Sequence, residues 1–170
     1  MGIPKYAKLE NERRFLVVDG PDLSTAPGRL IEDIYLDNCR LRLRAITEIG
    51  GAREFKLCKK YESDDPASGP VVNIYLSATE HAVLAALPGH PLRKRRYPIM
   101  WQGMTYSVDV FESELRGLVI CEAEATSPAA IEDLAFPPWA GPEVTHDPFY
   151  TGGQLARLSA AQLMARLRAS

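Results

Sequence analysis

The stretch KLENERRFLVV, residues 8–18, sets Glu10, Glu12 and Arg14 at alternate positions just ahead of an apolar run. In an extended strand, side chains alternate between two faces, so these three charges share one face while Leu9, Asn11, Arg13 and Phe15 share the other. The spacing recurs along the chain, in Arg40, Arg42 and Arg44, in Glu54 and Lys56, in Lys94 and Arg96, and in Glu122 and Glu124. Apolar residues fill most of the opposite positions. One such strand reads as a solvated face, but several in one chain define a sheet surface crowded with long charged side chains.

Arginines at i and i+2 of a strand stand about 6.7 Å apart, where unpaired like charges repel, and more strongly once they leave water. Cross-strand carboxylates would neutralise them at a gain of roughly 0.2–1 kcal/mol per pair. A polyanion would do so better, because a guanidinium fork matches two phosphate oxygens and lysine adds a compact point charge. Glu10, Glu12, Asp109, Glu122 and Glu124 supply the complementary half. Their hard oxygens suit Mg²⁺ or Mn²⁺, and magnesium typically binds through one or two carboxylates together with substrate phosphates. A charged inner face and an apolar outer face covered by helices describe a closed barrel with a polar lumen.

The elements that must position these residues are mostly strands. ERRFLVV, RLIEDIYL, CRLRLRAI, REFKLCKKY, VVNIYL, RKRRYPIMW, TYSVDVFES and GLVICEAEA all read as β-rich runs, with turn signals at Asp37-Asn38, Gly50-Gly51, Gln102-Gly103 and Arg116-Gly117. Ser77 and Glu80 fit a capping box that opens a helix over HAVLAAL, stopped by Pro88-Gly89. Ser127-Pro128 opens a short helix over AAIEDLAF, ended by Pro137-Pro138. The tail QLARLSAAQLMARLR, about 154–168, reads as one amphipathic helix with Leu155, Leu158, Met164 and Leu167 on a stripe. That stripe packs on the sheet, and its exposed part would permit a homodimer.

Composition narrows the classes. The 170 residues make one domain, 1–170, and a net charge of −2 with a pI near 5.9 argues against a nucleic-acid partner bound by bulk electrostatics. Cys39, Cys58 and Cys121 are odd in number and widely spaced, which suits neither a disulfide framework nor a zinc site with paired ligands. No apolar run approaches the ~18 residues of a membrane span, and MGIPKYAKLE lacks an apolar secretory core, so a cytoplasmic protein with no membrane partner is expected. Neither a Walker A sequence nor GxGxxG occurs. His146, alone in VTHDP, reads as a surface residue, and Trp101 and Trp139 as exterior packing.

With these pieces in order, the chain resembles the CYTH domain of the triphosphate tunnel metalloenzyme superfamily. Glu10-x-Glu12-x-Arg14 before FLV resembles the ExExK signature; LRLR at 41–44, the FK of REFKL, RKRRY, VDVF at 108–111, GLVICEAE at 117–124 and EVTHDPFY at 143–150 follow in the family's order. The resemblance spans about Lys8 to Leu155. It implies an α+β fold: an eight-stranded antiparallel β-barrel with a few helices outside it, acting on a small-molecule triphosphate with Mg²⁺ or Mn²⁺. It implies Glu10, Glu12, Glu122 and Glu124 as metal ligands, and Arg14, Arg42, Arg44, Lys56, Lys94 and Arg96 as the phosphate-binding set. Glu12, Glu124 and Asp109, the acid of the VD motif, are the implied catalytic residues.

Departures from the family pattern bear on activity. Arg14 stands where the signature has lysine, Asn73 where many members carry a carboxylate, Phe149 where a basic residue is common, and Gly152 where asparagine is. The resemblance implies divalent-metal-dependent hydrolysis of a triphosphate, inorganic triphosphate first and a nucleoside or thiamine triphosphate otherwise; the alternatives are a non-catalytic sensor of polyphosphate or nucleotides, cyclisation of a nucleotide, or capture of a phosphorylated protein or RNA end.

Overall fold

The computed structural model describes residues 3–169. Its strands are β1 Lys8–Val17, β2 Arg29–Leu36, β3 Leu41–Thr47, β4 Arg53–Lys60, β5 Ser68–Leu76, β6 Gly89–Trp101, β7 Met104–Phe111, β8 Val119–Ala125 and β9 Ala140–Glu143. The helices are α1 Ala78–Ala85, α2 Pro128–Glu132, α3 Gly152–Leu155 and α4 Ala160–Ala169.

The strands pair antiparallel in the order β5-β4-β3-β2-β6-β7-β8-β1, and β1 returns to β5, so eight strands close into the expected barrel. β1 makes the closure. One of its edges takes β8 over Asn11–Leu16, while the other takes β5 over Lys8–Asn11 and then β9 at Phe15 and Val17. Tight turns set the register of the hairpins. Gly50 and Gly51 join β3 to β4 with φ of 102° and 89°, and Gln102 and Gly103 join β6 to β7 with φ of 46° and 79°. Two consecutive positive φ values match the twist of the flanking strands, and only residues with little Cβ conflict adopt them readily.

The capping box holds as expected at α1, where Ser77 Oγ accepts from the Glu80 amide and the Glu80 carboxylate accepts from the Ser77 amide at 2.7 Å. α2 begins at Pro128 but stops at Glu132, short of Phe136. The chain leaves the helix there because the Phe136 ring packs 3.9 Å from the Phe15 ring and edge-on to Tyr106. The single helix expected over 154–168 is two helices. Ser159 opens the second, its hydroxyl accepting from the Gln162 amide while the Gln162 side chain accepts from the Ser159 amide at 2.9 Å. The break turns Leu155 and Leu163 into one buried cluster and leaves Met164 exposed.

That cluster joins the C-terminal segment to the barrel. Leu16, Leu92, Phe111 and Ile120, from four barrel strands, pack with Val144, Tyr150, Leu155 and Leu163. A second cluster on the opposite parity of β1, Phe15 with Tyr106, Cys121 and Ala123, gathers Trp101 and Trp139 around it. No described helix is long and apolar enough to cross a membrane.

Candidate active site

The inward residues of β1, β3, β4, β6 and β8 meet in one cavity of about 490 Å³, a size suited to a small-molecule ligand. Glu10, Glu12 and Arg14 all line it, as the period-two spacing of β1 requires. Arg42 and Arg44 line it from β3, with Arg40 just ahead of that strand, Lys94 and Arg96 from β6, and Glu122 and Glu124 from β8.

The glutamates divide into two groups. Glu12 is directly opposite Glu124 in the β1–β8 ladder, and with Glu10 they bring three carboxylate oxygens within 4.8 Å of one another. Glu124 is the most exposed of the three, and its carboxyl lies above the usual range, through burial first and then through Glu10 and Glu12 beside it. Three converging hard oxygens fit a magnesium-like cation, and they would not suit a soft metal. Glu122 does not join them. It faces Arg14 in the ladder and is bonded to Arg96. Burial alone would raise its carboxyl, but Arg96 and Lys94 outweigh burial and hold it well below the usual range.

Two buried aspartates anchor the cations. Asp33 on β2 accepts from Arg44 Nε at 2.6 Å and Nη2 at 2.7 Å, with Arg42 Nε 3.8 Å away. Asp109 on β7 accepts from Lys94 and from both Nε and Nη2 of Arg96. Both aspartate side chains have 0% exposure. Around the wall, cations on β3, an acid on β2, cations on β6 and an acid on β7 therefore alternate strand by strand. Such an ion pair offsets its desolvation only when the geometry is good, and both pairs here are forked.

Arg14 makes neither of the contacts that its position beside two glutamates suggests. Its Nη1 donates to the Tyr150 carbonyl at 2.9 Å and its Nη2 to the Thr145 carbonyl at 3.0 Å, while its own amide donates to Thr145 Oγ1. The fork thus clamps the C-terminal segment, and among the described residues no carboxylate pairs directly with it, although the charge is felt by Glu122 opposite it. Arg14 Nε and Arg42 Nε are both buried without a hydrogen-bond partner among the described residues. Orphaned donors of this kind cost about 1–3 kcal/mol each, and both side chains line the cavity.

Lys60 is the cation that bridges the glutamates, at 2.5 Å from Glu10 Oε2 and 3.1 Å from Glu12 Oε1. The FK lysine, Lys56, shares its parity but is absent from the lining; its ammonium pairs with Glu54 at 2.8 Å and lies over the Tyr75 ring. Lys60, Asp33 and Tyr35 are the members of the site that sequence reasoning passed over. Parity would have found Lys60, which stands at i+4 from Lys56 on the same strand face.

Asp109 likewise does not line the cavity, and its contacts are with Lys94 and Arg96. Asn73 and Phe149 line no part of it either. Gly152 does, and a Cβ there would lie 1.9 Å from the Tyr35 hydroxyl, so the ring of Tyr35 occupies the space a larger residue would need.

A closed antiparallel tunnel with converging carboxylates beside stacked cations is the architecture of a metal-assisted polyphosphate site. The chain belongs to the triphosphate tunnel metalloenzyme, or CYTH, superfamily. It is 34% identical over 155 residues to an inorganic triphosphatase of Nitrosomonas europaea, a match covering 86% of this chain and 96% of that one. An inorganic triphosphatase of Acetivibrio thermocellus is 39% identical over 66 residues, 39% of this chain and 41% of that one. A crystal structure of an inorganic triphosphatase superposes with a TM-score of 0.59 at 29% identity, covering 86% of this chain and 93% of that one. A Pyrococcus horikoshii protein shares the fold with a TM-score of 0.51 at 16% identity, over 72% of this chain and 83% of that one. No protein-family profile matches the chain.

Proposed function

We propose that the chain is a metal-dependent triphosphatase that hydrolyses a phosphoanhydride bond of inorganic triphosphate. The observation that carries the reading is the division of one cavity into three converging carboxylates, Glu10, Glu12 and Glu124, and a cationic remainder in which Arg14 and Arg42 keep unpartnered N–H groups. Two relatives of this chain bear the name inorganic triphosphatase.

Glu10, Glu12 and Glu124 would hold Mg²⁺ or Mn²⁺, with Glu122 serving as the counter-charge of Arg96. A divalent ion bound there supplies charge neutralisation on phosphate oxygens and lowers the pKa of a bound water. Arg14, Arg42, Arg44, Lys94 and Arg96 bind the phosphoryl oxygens and stabilise the charge that grows on them during in-line attack. Glu12 and Glu124 orient the attacking water. Asp109 acts through Lys94 and Arg96, and Asp33 through Arg44, holding those cations in place before substrate arrives. Lys56 has no direct part in this scheme.

Asn73 and Phe149, the departures that would favour a non-catalytic sensor, do not line the cavity. Phosphate release from inorganic triphosphate, ATP and thiamine triphosphate, with Mg²⁺, with Mn²⁺ and with EDTA, tests the proposal. Metal-dependent release, fastest with inorganic triphosphate, is expected. Tight binding of all three without turnover would overturn the hydrolase, and a cyclic nucleotide as product would replace it by a cyclase.

A further inference from the structure

Lys60 lies at the end of β4, where its ammonium contacts two members of the three-glutamate group, Glu10 at 2.5 Å and Glu12 at 3.1 Å. The third member, Glu124, makes no ion pair among the described residues. The Lys60 ammonium thus pairs directly where three carboxylates converge, and two of their oxygens are already in use. Lys60 keeps a path to solvent, since 46% of its side chain is exposed. An ammonium on a four-carbon stem moves by simple rotamer changes, unlike a guanidinium fixed by a planar fork.

A divalent cation and an ammonium cannot share those oxygens, because like charges at about 4 Å repel even at the effective dielectric of a protein surface. Resting on the metal-dependent reading above, we propose that Lys60 is a displaceable counter-ion. It satisfies Glu10 and Glu12 in the metal-free tunnel, yields them to the divalent cation, and turns its ammonium to the bound polyphosphate. Metal alone then binds weakly, because it must first displace Lys60. Metal with triphosphate binds strongly, because the freed ammonium gains a new anion. By linkage, each ligand raises the affinity for the other through this one side chain.

The test uses Mn²⁺ alone, in the absence of any phosphate compound, with the free ion followed by its paramagnetic resonance signal. Lys60→Met keeps the stem and removes the charge. Two half-exposed ion pairs set the expected gain in Mn²⁺ affinity over the natural chain at about tenfold. Lys60→Arg, which restores a cation, should return the affinity to within about threefold of the natural chain. Unchanged or weaker Mn²⁺ binding by Lys60→Met overturns the proposal. Lys60→Gln replaces it where circular dichroism shows the Met variant unfolded, and the same result overturns the proposal equally. Absence of Mn²⁺ binding in every protein, Glu12→Gln included, overturns the metal site as well. Unchanged affinity alongside intact triphosphate hydrolysis overturns the Lys60 proposal alone.

Discussion

Asp33 and Arg44 face each other directly across the β2–β3 ladder, and the fully buried carboxylate takes both the Nε and the Nη2 of the guanidinium. The pair fixes a cation that the cavity uses, and it does so within a single hairpin.

Breaking that pair should be costly. Asp33→Asn leaves a desolvated guanidinium facing a neutral amide, and truncating one partner of a buried pair typically costs about 3–5 kcal/mol. Urea unfolding should show that loss, and a loss under about 1 kcal/mol would mean that water takes the place of the carboxylate.

The same carboxylate shapes the acid limb. Burial alone would favour its neutral form, but Arg44 and Arg42 outweigh burial and hold it below the ordinary aspartate value of about 3.9. A depressed carboxyl contributes stability that is complete above the unfolded value and is lost as pH falls through the folded one. Urea midpoints measured from about pH 7 down to pH 3 should therefore fall in the natural chain once pH passes below about 4, with a shallower fall in Asp33→Asn. Parallel slopes would show that other carboxylates govern acid unfolding.

Glu12→Gln and Arg42→Ala should each lower phosphate release from inorganic triphosphate by about 100-fold or more, since each removes a charge aimed at the reacting group. Far-ultraviolet circular dichroism should remain that of the barrel. Retention of activity in both variants would be incompatible with the assigned site.

Arg14→Lys tests the clamp on the C-terminal segment. A lysine can reach either the Thr145 carbonyl or the Tyr150 carbonyl but has no fork to span both. A loss of about 1–3 kcal/mol is expected, with faster amide exchange over residues 145–150. Exchange at the unaltered rate would show that the segment is held by its apolar contacts alone.

Gly152→Ala should destabilise by about 1–3 kcal/mol, because the new methyl meets the Tyr35 hydroxyl and ring. Tyr35→Phe in the same chain should recover part of that loss by removing the nearest atom. A double-mutant cycle reads the coupling, and strict additivity would place the conflict elsewhere.

The parity of charged residues was legible because one sheet face is devoted to them, and each of Glu10, Glu12, Arg42, Arg44 and Arg96 lines the cavity. Parity carries no information about position along the barrel axis. Lys56 and Lys60 are therefore alike in sequence and differ only through shear, which brings the end of β4 beside the start of β1. Glu122 and Glu124 separate for a similar reason, one falling opposite Arg14 and the other opposite Glu12. β9 escaped notice because AGPE has neither β-branched residues nor alternation, and the Arg13–Glu143 fork, at 3.0 and 2.7 Å, secures it to β1 from outside. The divided C-terminal helix was legible in principle, since Ser159 and Gln162 have capping-box spacing.

The strand pairing also orders the assembly of the site. The Arg44–Asp33 and Arg96–Asp109 pairs join residues 11 and 13 positions apart, inside the β2–β3 and β6–β7 hairpins, so the basic wall forms from local contacts. Glu10 and Glu12 meet Glu124 and Lys60 only when β1 docks between β8 and β5, a closure that joins residues 8–16 to residues 68–71 and 120–125. The acidic cluster therefore rests on long-range strand pairing, and a divalent cation bound to it would tie together residues that the chain itself keeps far apart.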